Sequence, residues 1–284
     1  MSKDLFVDKN PSLETSWRSI ILLGRNVASY KFALAKSLLE IDSNNSEIEL
    51  EKLAIPFAKN ICEHLDKNEK QITSSSSKFL DACKRFNNSQ INEDELKNIT
   101  VRMGFNNVID AFHIVSREET TRFFTDNRTN NKSIILTDDF YKLKEKDIYK
   151  NLKNEAESRW NLWETAISLN VNPTLLQIIN DKDHEYLYVL DENRNRRDVT
   201  SSRDALNGYQ KGKCFYCYKN ISIDRGNDNS CDVDHFFPHL LKNYGFLEVD
   251  QIWNLVLSCQ DCNRGSQGKF ERIPDIKYLY ALSK

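Results

Sequence analysis

The sequence predicts a mainly α-helical chain that ends in a small α+β domain. Three observations support this fold class. Only 8 of the 284 residues are Gly and only 5 are Pro, which is few for a sandwich or barrel with many turns. Apolar residues recur at helical spacing over much of residues 12–100. Residues 200–284 instead combine short apolar runs with two Cys-x-x-Cys pairs.

Periodicity and capping residues define the predicted helices. Ser12, Asn92 and Asp138 are side chains of the kind that cap helix N-termini. The expected helices span residues 12–41 as one long helix, 46–66 with an interruption at Pro56, 75–86, 92–100, and 138 towards 169. In the C-terminal part, helices are expected over residues 203–209 and from about Cys262.

The remaining segments are predicted to be strands and loops. Short strands are expected at residues 134–136, 185–190, 221–223, 231–235 and 253–258. Residues 108–115 fit either a strand or a helix. Residues 127–132 read as a loop, and residues 191–197 as a polar, basic turn. The domain boundary is placed near residues 198–202, which gives a predominantly helical domain 1–199 and a second domain 200–284.

Charge and hydropathy limit the classes of function. The formal net charge of −2 argues against binding nucleic acid by bulk charge alone. The first residues lack a signal-peptide pattern, and the most apolar run, residues 20–24, is far too short to span a membrane. A soluble, cytoplasmic protein is therefore expected. In a reducing compartment, seven cysteines with four in two pairs indicate metal binding and not disulfides.

The two cysteine pairs predict a structural zinc site. They are Cys214-Phe-Tyr-Cys217 and Cys259-Gln-Asp-Cys262. Two such knuckles supply four thiolates in a tetrahedron and leave no open position for water. A closed site of this kind holds two distant segments together and performs no chemistry. The other three cysteines, Cys62, Cys83 and Cys231, have no partner at motif spacing and are expected to be buried.

Between the pairs lies a second group of polar residues. Asp234 and His235 are adjacent, and Pro238 follows. Neighbouring side chains on a strand point to opposite faces, so these two serve one site only if the strand ends or bends there. Pro238 is consistent with such an ending. Asn254 comes later, and Asn263 directly follows the fourth cysteine.

This order of residues resembles the HNH endonucleases, and most closely their zinc-bearing branch, in which two knuckles bracket an Asp-His pair. The resemblance covers about residues 200–284. It implies a ββα-metal fold, in which a β-hairpin and a helix surround one catalytic metal ion. It also implies cleavage of nucleic acid to a 5′-phosphate and a 3′-hydroxyl, with DNA favoured over RNA as the substrate. By analogy, it suggests an effector in a bacterial defence or mobile-element system.

The resemblance implies a role for each motif position. His235 is the expected general base that takes a proton from water, a task suited to a neutral imidazole. Asp234 and Asn263 are the expected ligands of a catalytic Mg²⁺ or Mn²⁺, which prefer oxygen donors. Asn254 is expected to brace the loop that carries the histidine. Asn263 stands where the family name implies a second histidine, which leaves the metal preference open.

Phosphodiester cleavage also requires contacts to the substrate. Lys269, Arg264 and His239 are candidate substrate-binding residues, and Arg272 is a further candidate for phosphate contact. An ordinary solvated surface explains the Lys and Arg side chains equally well. For His239, a surface or structural role is favoured over contact with phosphate or the metal shell. The basic turn with Arg194, Arg196 and Arg197 is more simply a polar loop, and His64, His113 and His184 are expected to be structural.

Residues 1–199 contain no recognised motif. Arg18 and Arg25, beside Gly24, suggest an interaction or regulatory surface to which a protein partner, such as a co-encoded regulatory subunit, binds. The alternative function is a zinc-ribbon module that binds nucleic acid or protein without cleavage. Residues 200–284 contain 11 Lys and Arg against 10 Asp and Glu, too small an excess for tight non-specific binding to DNA.

Overall fold

The structure, a computed structural model, describes residues 12–23, 28–42, 45–73, 76–115, 118–146, 149–168, 179–181, 186–190, 196–198, 202–224 and 229–282. The chain divides into two compact units, with Pro11–Trp160 in one and Asn161–Lys284 in the other. This division falls within helix α9 (Tyr149–Ser168). The predicted boundary near residues 198–202 is partly outside the described residues and stays a prediction. No helix among the described residues is long and apolar enough to cross a membrane.

The N-terminal unit is predominantly helical, as the sequence predicts. Its helices are α1 (Leu13–Arg18), α2 (Tyr30–Glu40), α3 (Leu50–Lys67), α4 (Lys78–Asn87), α5 (Glu93–Ile99), α6 (Val108–Ala111), α7 (Arg128–Asn131), α8 (Asp138–Lys144) and the start of α9 (Tyr149–Ser168). Two π-helical turns, Ser19–Leu23 and Thr100–Gly104, extend α1 and α5.

Side-chain caps explain where several of these helices begin. Ser12 accepts a hydrogen bond from the backbone of Thr15 at the start of α1. Asn92 and Glu95 form a reciprocal capping box at the start of α5, which confirms the predicted cap. The predicted cap Asp138 is wrong by one residue, because Thr137 accepts the hydrogen bond from Phe140 instead.

Long-range pairing overrides two predicted helices. The continuous helix over residues 12–41 is wrong, because Ala28 pairs with Ile72 as a β-bridge and the Ser29 amide donates to the Gln71 carbonyl. The helix predicted from residue 46 begins only at Leu50, after strand β1 (Glu47–Glu49). It then continues through Pro56, so the predicted interruption is also wrong.

The N-terminal unit contains small sheets that the sequence only partly predicts. Strands β1 (Glu47–Glu49), β4 (Phe124–Asn127) and β5 (Ser133–Leu136) form an antiparallel sheet in the order β1-β5-β4. Strands β2 (Ile114–Val115) and β3 (Glu118–Glu119) form a second antiparallel pair. The strand predicted at residues 134–136 is confirmed. The ambiguous segment 108–115 contains both α6 and β2, and the loop predicted at 127–132 contains α7.

The core of the N-terminal unit contains paired charges. Arg18 is buried and forms a two-pronged ion pair with Glu155, with N···O distances of 2.7 and 2.9 Å. The expectation that Arg18 belongs to an interaction surface is therefore wrong. His64 is also buried, stacks on Trp160 and lies 3.2 Å from Glu157, in agreement with its predicted structural role.

After the end of α9, the described part of the C-terminal unit contains a small sheet, followed by a hairpin and a helix. Strands β6 (Ile179–Asp181), β7 (Tyr186–Leu190) and β8 (Arg196–Asp198) are antiparallel in sequence order. The later elements are α10 (Ser202–Gln210), β9 (Cys231–His235), β10 (Leu255–Cys259), α11 (Gln260–Arg264) and α12 (Ile276–Leu282). Three short 3-10 helices, His239–Tyr244, Leu247–Asp250 and Ile252–Asn254, connect β9 to β10.

Several predictions for this unit are confirmed and others need correction. The predicted strands at 185–190, 231–235 and 253–258 correspond to β7, β9 and β10, and the helix at 203–209 to α10. Residues 221–223 form no strand, only an isolated bridge from Ser222 to Ser230. The basic turn predicted at 191–197 ends in strand β8, while residues 191–195 lie outside the described residues.

Strands β9 and β10 form an antiparallel hairpin whose register pairs Cys231 with Cys259 and His235 with Leu255. Gln210, at the end of α10, fixes the outer side of this hairpin. Its side chain accepts a hydrogen bond from the Leu257 amide and donates one to the Leu257 carbonyl. Helix α11 follows β10 directly, so two strands and one helix form a ββα unit, which is consistent with the expected fold.

Candidate active site

The four predicted zinc ligands lie together. The Sγ atoms of Cys214, Cys217, Cys259 and Cys262 are all within 4.8 Å of one another. A zinc ion bonded to four thiolates at about 2.3 Å places the sulfur atoms about 3.8 Å apart. The Sγ atoms of Cys217 and Cys259 are 3.7 Å apart, and with all four within 4.8 Å of one another the cluster has about the size that a zinc ion requires.

Backbone hydrogen bonds hold the two knuckles against each other. The amide of Phe215 donates to the carbonyl of Leu257 on β10, and the amide of Cys259 donates to Cys214 Sγ at 3.3 Å. Tyr218 closes the first knuckle with a positive φ of 61°, and its amide donates to the Cys214 carbonyl. The chain therefore presents its sulfur atoms as two preformed pairs.

Asp232 and Asp234 lie on one face of β9, because side chains two residues apart on a strand point the same way. Asp234 is buried, and both of its carboxylate oxygens are bonded. Oδ2 accepts a hydrogen bond of 2.6 Å from the hydroxyl of Tyr216, and Oδ1 lies 3.2 Å from Lys269 Nζ. Burial and the adjacent Asp234 carboxylate both raise the pKa of Tyr216, so the hydroxyl remains a donor.

Helix α11 brings Asn263 to the same face of the hairpin. Its Nδ2 donates to Asp232 Oδ2 at 2.9 Å, and Arg264 Nε lies 3.1 Å from the same oxygen. The chain then turns back over α11, and the Lys269 amide donates to the Cys262 carbonyl. Gly268 permits this turn, since a Cβ there would lie 2.8 Å from the Asn263 carbonyl oxygen.

Asn254 braces the segment that follows His235. Its Oδ1 accepts from the Phe237 amide at 2.7 Å, and its Nδ2 donates to the carbonyls of Phe237 and Val249. The Phe236 amide also donates to the Asn254 carbonyl. These bonds hold the chain just beyond the end of β9, where His235 lies. The contacts are those expected of a bracing residue, although its contribution to activity remains a proposal.

His235 lies at the end of β9, on the side opposite Asp234, and is buried. Its Nε2 is 3.7 Å from Oδ1 of Asp250. His239 Nε2 is 3.3 Å from the same oxygen, and Lys242 forms an ion pair with the other oxygen. Lys269 Nζ, which contacts Asp234, also donates to the carbonyl of His235 at 2.7 Å. Lys269 therefore bridges the side chain of Asp234 and the backbone of His235 at the end of β9.

The candidate substrate-binding residues differ in their surroundings. Lys269 is buried between Asp234 and the His235 carbonyl, whereas Arg264 and His239 have mostly exposed side chains. Arg272 donates to the Lys269 carbonyl. The structure brings Lys269, Arg264 and His239 close to the motif residues, and their contacts to substrate stay a prediction.

Other residues noted in the sequence lie elsewhere. His113 is buried in the N-terminal unit, as are Cys62 and Cys83, and Cys231 is buried on β9. Gly24, Arg25, His184 and Arg194 lie outside the described residues, and the side chains of Arg196 and Arg197 are also outside that description.

Three polar residues of the site were not predicted from the sequence. Tyr216 contacts Asp234, Asp232 contacts Asn263, and Asp250 lies beside His235. Asp232 had a usable signal, because it precedes Asp234 by two on a predicted strand and must share its face. Tyr216 and Asp250 had none, since their positions depend on the fold of the knuckle and of the connection between β9 and β10.

The arrangement defines a class of protein: a ββα unit with a closed cysteine cluster beside a carboxylate, a histidine and two asparagine amides. Comparison with known families agrees with this class. Residues 214–274 match the family model described as HNH endonuclease. The match covers both knuckles and every motif position between them, and it confirms the resemblance inferred from the sequence for this segment. It implies nuclease activity on nucleic acid. Neither the search of curated proteins nor the search of solved structures found a match.

Proposed function

We propose that the C-terminal unit is a metal-dependent endonuclease that hydrolyses phosphodiester bonds in nucleic acid, with DNA as its preferred substrate. The observation that carries this proposal is that Asp234, His235, Asn254 and Asn263 all lie on one ββα unit beside a cysteine cluster, where Lys269 contacts both the Asp234 side chain and the His235 carbonyl. A protein that only binds nucleic acid has no need of a histidine and a carboxylate at a braced strand end.

Each residue has a distinct task in this proposal. His235 accepts a proton from the attacking water as general base. Asn254 keeps the chain after His235 in place through its bonds to Phe237. The four cysteines hold zinc and fix β10 and α11 to the first knuckle. Arg264 and His239 have exposed side chains near the site and bind substrate phosphates.

Asp234 and Asn263 are the proposed ligands of a catalytic Mg²⁺ or Mn²⁺. Both side chains carry oxygen atoms of the kind that a hard cation prefers. Oδ1 of Asp234 lies 3.2 Å from Lys269 Nζ, so a metal ion at this oxygen would displace the Lys269 ammonium group. Because Asn263 Nδ2 donates to Asp232, its Oδ1 is the atom that can bind metal. When bound, such an ion neutralises charge that develops on the phosphate and the leaving oxygen.

The proposal is tested with labelled single- and double-stranded DNA and RNA in Mg²⁺, Mn²⁺ or EDTA. We expect endonucleolytic products only with the divalent cations. His235→Ala should lower the cleavage rate by about two to four orders of magnitude, while substrate binding and zinc content stay near those of the wild type. Binding without cleavage by the wild type under every condition would instead support the alternative of a binding module.

A further inference from the structure

Asp250 is a buried carboxylate that the family motif does not include. It ends the 3-10 helix Leu247–Asp250, and three cationic or potentially cationic side chains surround it. Oδ1 lies 3.7 Å from His235 Nε2 and 3.3 Å from His239 Nε2, and Oδ2 forms an ion pair with Lys242. An acidic side chain therefore lies beside Nε2 of the proposed general base.

Asp250 and His235 are held by the same brace. Asn254 Nδ2 donates to the carbonyl of Val249, immediately before Asp250, and also to the carbonyl of Phe237, two residues after His235. The backbone amide of Asn254 also donates a hydrogen bond to the carbonyl of Gln251. One asparagine therefore fixes both ends of the connection, and the carboxylate faces the imidazole because the two flanking segments are tied together.

Burial of a carboxylate is costly unless it is paired. Lys242 supplies a balancing positive charge through its ion pair with Asp250. A carboxylate on one ring nitrogen fixes the proton there and leaves the other nitrogen as a lone-pair acceptor. The distance of 3.7 Å is longer than a hydrogen bond, but catalytic hydrogen bonds in substrate-free structures are often long and shorten in the complex.

We propose that Asp250 is a positioning residue for His235. Its carboxylate holds the proton on Nε2 and fixes the ring, so that Nδ1 takes the proton from the attacking water. Asp250 contacts no substrate in this scheme and acts only through His235. The inference rests on the proposed function, because it assigns a partner to the proposed general base.

A double-mutant cycle in cleavage kinetics tests the inference. Asp250→Asn has nearly the same shape but cannot accept the Nε2 proton equally well, so kcat should fall by about ten- to a hundredfold, part of the contribution of a general base. This fall should exceed any change in KM caused by the lost ion pair with His239. In the His235→Ala background the same substitution should cause no further loss. Asp250→Glu keeps the carboxylate and should retain more activity than Asp250→Asn. Asp275→Asn, an exposed acid of the same unit, is the matched control.

A readout independent of cleavage is the tautomer of His235, measured by long-range ¹H–¹⁵N correlation in the zinc-loaded protein. We expect the Nε2-protonated form in the wild type and a loss of this preference in Asp250→Asn. Equal losses of kcat in the wild-type and His235→Ala backgrounds, or an unchanged tautomer, would overturn the inference. Full activity of His235→Ala would instead refute the proposed base, whatever tautomer Asp250 imposes.

Discussion

The hydroxyl of Tyr216 donates a 2.6 Å hydrogen bond to Oδ2 of Asp234. Tyr216 stands between the two cysteines of the first knuckle, and Asp234 is the proposed metal-binding carboxylate. Both side chains are buried. The four-cysteine cluster is therefore connected to the candidate active site through one side chain, as well as through the backbone of β9 and β10.

Tyr216→Phe should weaken this connection while leaving the zinc site intact. The ring still packs against Phe215 and Tyr278, but the buried carboxylate loses one of its donors. Hydrogen bonds to charged groups contribute about 1.5–3 kcal/mol, so we expect the free energy of unfolding of the C-terminal unit to fall by about that amount. Denaturant unfolding measures it, and zinc content should stay at the wild-type value. Loss of zinc would show that Tyr216 supports the knuckle instead.

Cys217→Ser should remove the structural metal. Since the two knuckles are distant in sequence, loss of one thiolate frees segments that zinc joins, and we expect a much lower thermal unfolding temperature for the C-terminal unit. Metal analysis should find one zinc per wild-type chain and little in the variant. Cys231→Ala is the matched control, because Cys231 is buried on β9 outside the cluster. If both variants keep their zinc, the four-cysteine assignment is incorrect.

The catalytic cation should be separable from the zinc. An ion held by one carboxylate and one amide oxygen keeps most of its waters and binds weakly, so mild EDTA should abolish cleavage without removing zinc, and Mg²⁺ or Mn²⁺ should restore it. Asn263→Asp keeps an oxygen donor and should retain more activity than Asn263→Ala.

The structure adds a second expectation for Asn263→Asp. The new carboxylate would face Asp232, which now accepts a hydrogen bond from the Asn263 amide. Repulsion should therefore lower the thermal unfolding temperature in EDTA, and Mn²⁺ should restore it. Asn243→Asp, an exposed position in the same unit, controls for the added charge. Normal cleavage by both Asp234→Ala and Asn263→Ala would refute the assigned ligands.

The sequence was most informative where chemistry requires fixed spacing. Two residues between cysteines suit one tetrahedral ion, and a strand that ends after Asp234 and His235 allows both to serve one site. These constraints are local, so they can be read without the fold. Asp250 is different, because its approach to His235 depends on three 3-10 helices and on the Asn254 brace. No periodicity or spacing in residues 236–254 predicts that approach.

In the helical N-terminal unit, too, contacts between residues distant in the sequence could not be predicted from local patterns. The cap at Asn92 is local and was predicted correctly. Strand β1 was mistaken for helix because Ile48 pairs with Ile134, a partner far along the chain. Arg18 resembled a surface residue, yet it is buried against Glu155. Its burial depends on a carboxylate 137 positions away, which no local pattern reveals.

His113 should make the N-terminal unit sensitive to acid. Burial, assisted by the charge of Arg122, lowers the pKa of His113 to about 4, and its Nε2 accepts a hydrogen bond from the Phe123 amide. Between pH 6.5 and 4 the unfolded chain binds a proton that the folded chain does not. The free energy of unfolding should therefore decrease by about 3 kcal/mol in total as the pH falls through this range.

His113→Gln removes the titrating group but keeps an acceptor for the Phe123 amide. Its free energy of unfolding should therefore decrease less steeply than that of the wild type as the pH falls from 7 to about 4, whatever the stability of the variant at pH 7. Denaturant unfolding at several pH values measures both slopes, and acid-sensitive groups away from His113 contribute equally to each. Parallel pH profiles for the two proteins would show that the buried imidazole does not titrate as its surroundings indicate.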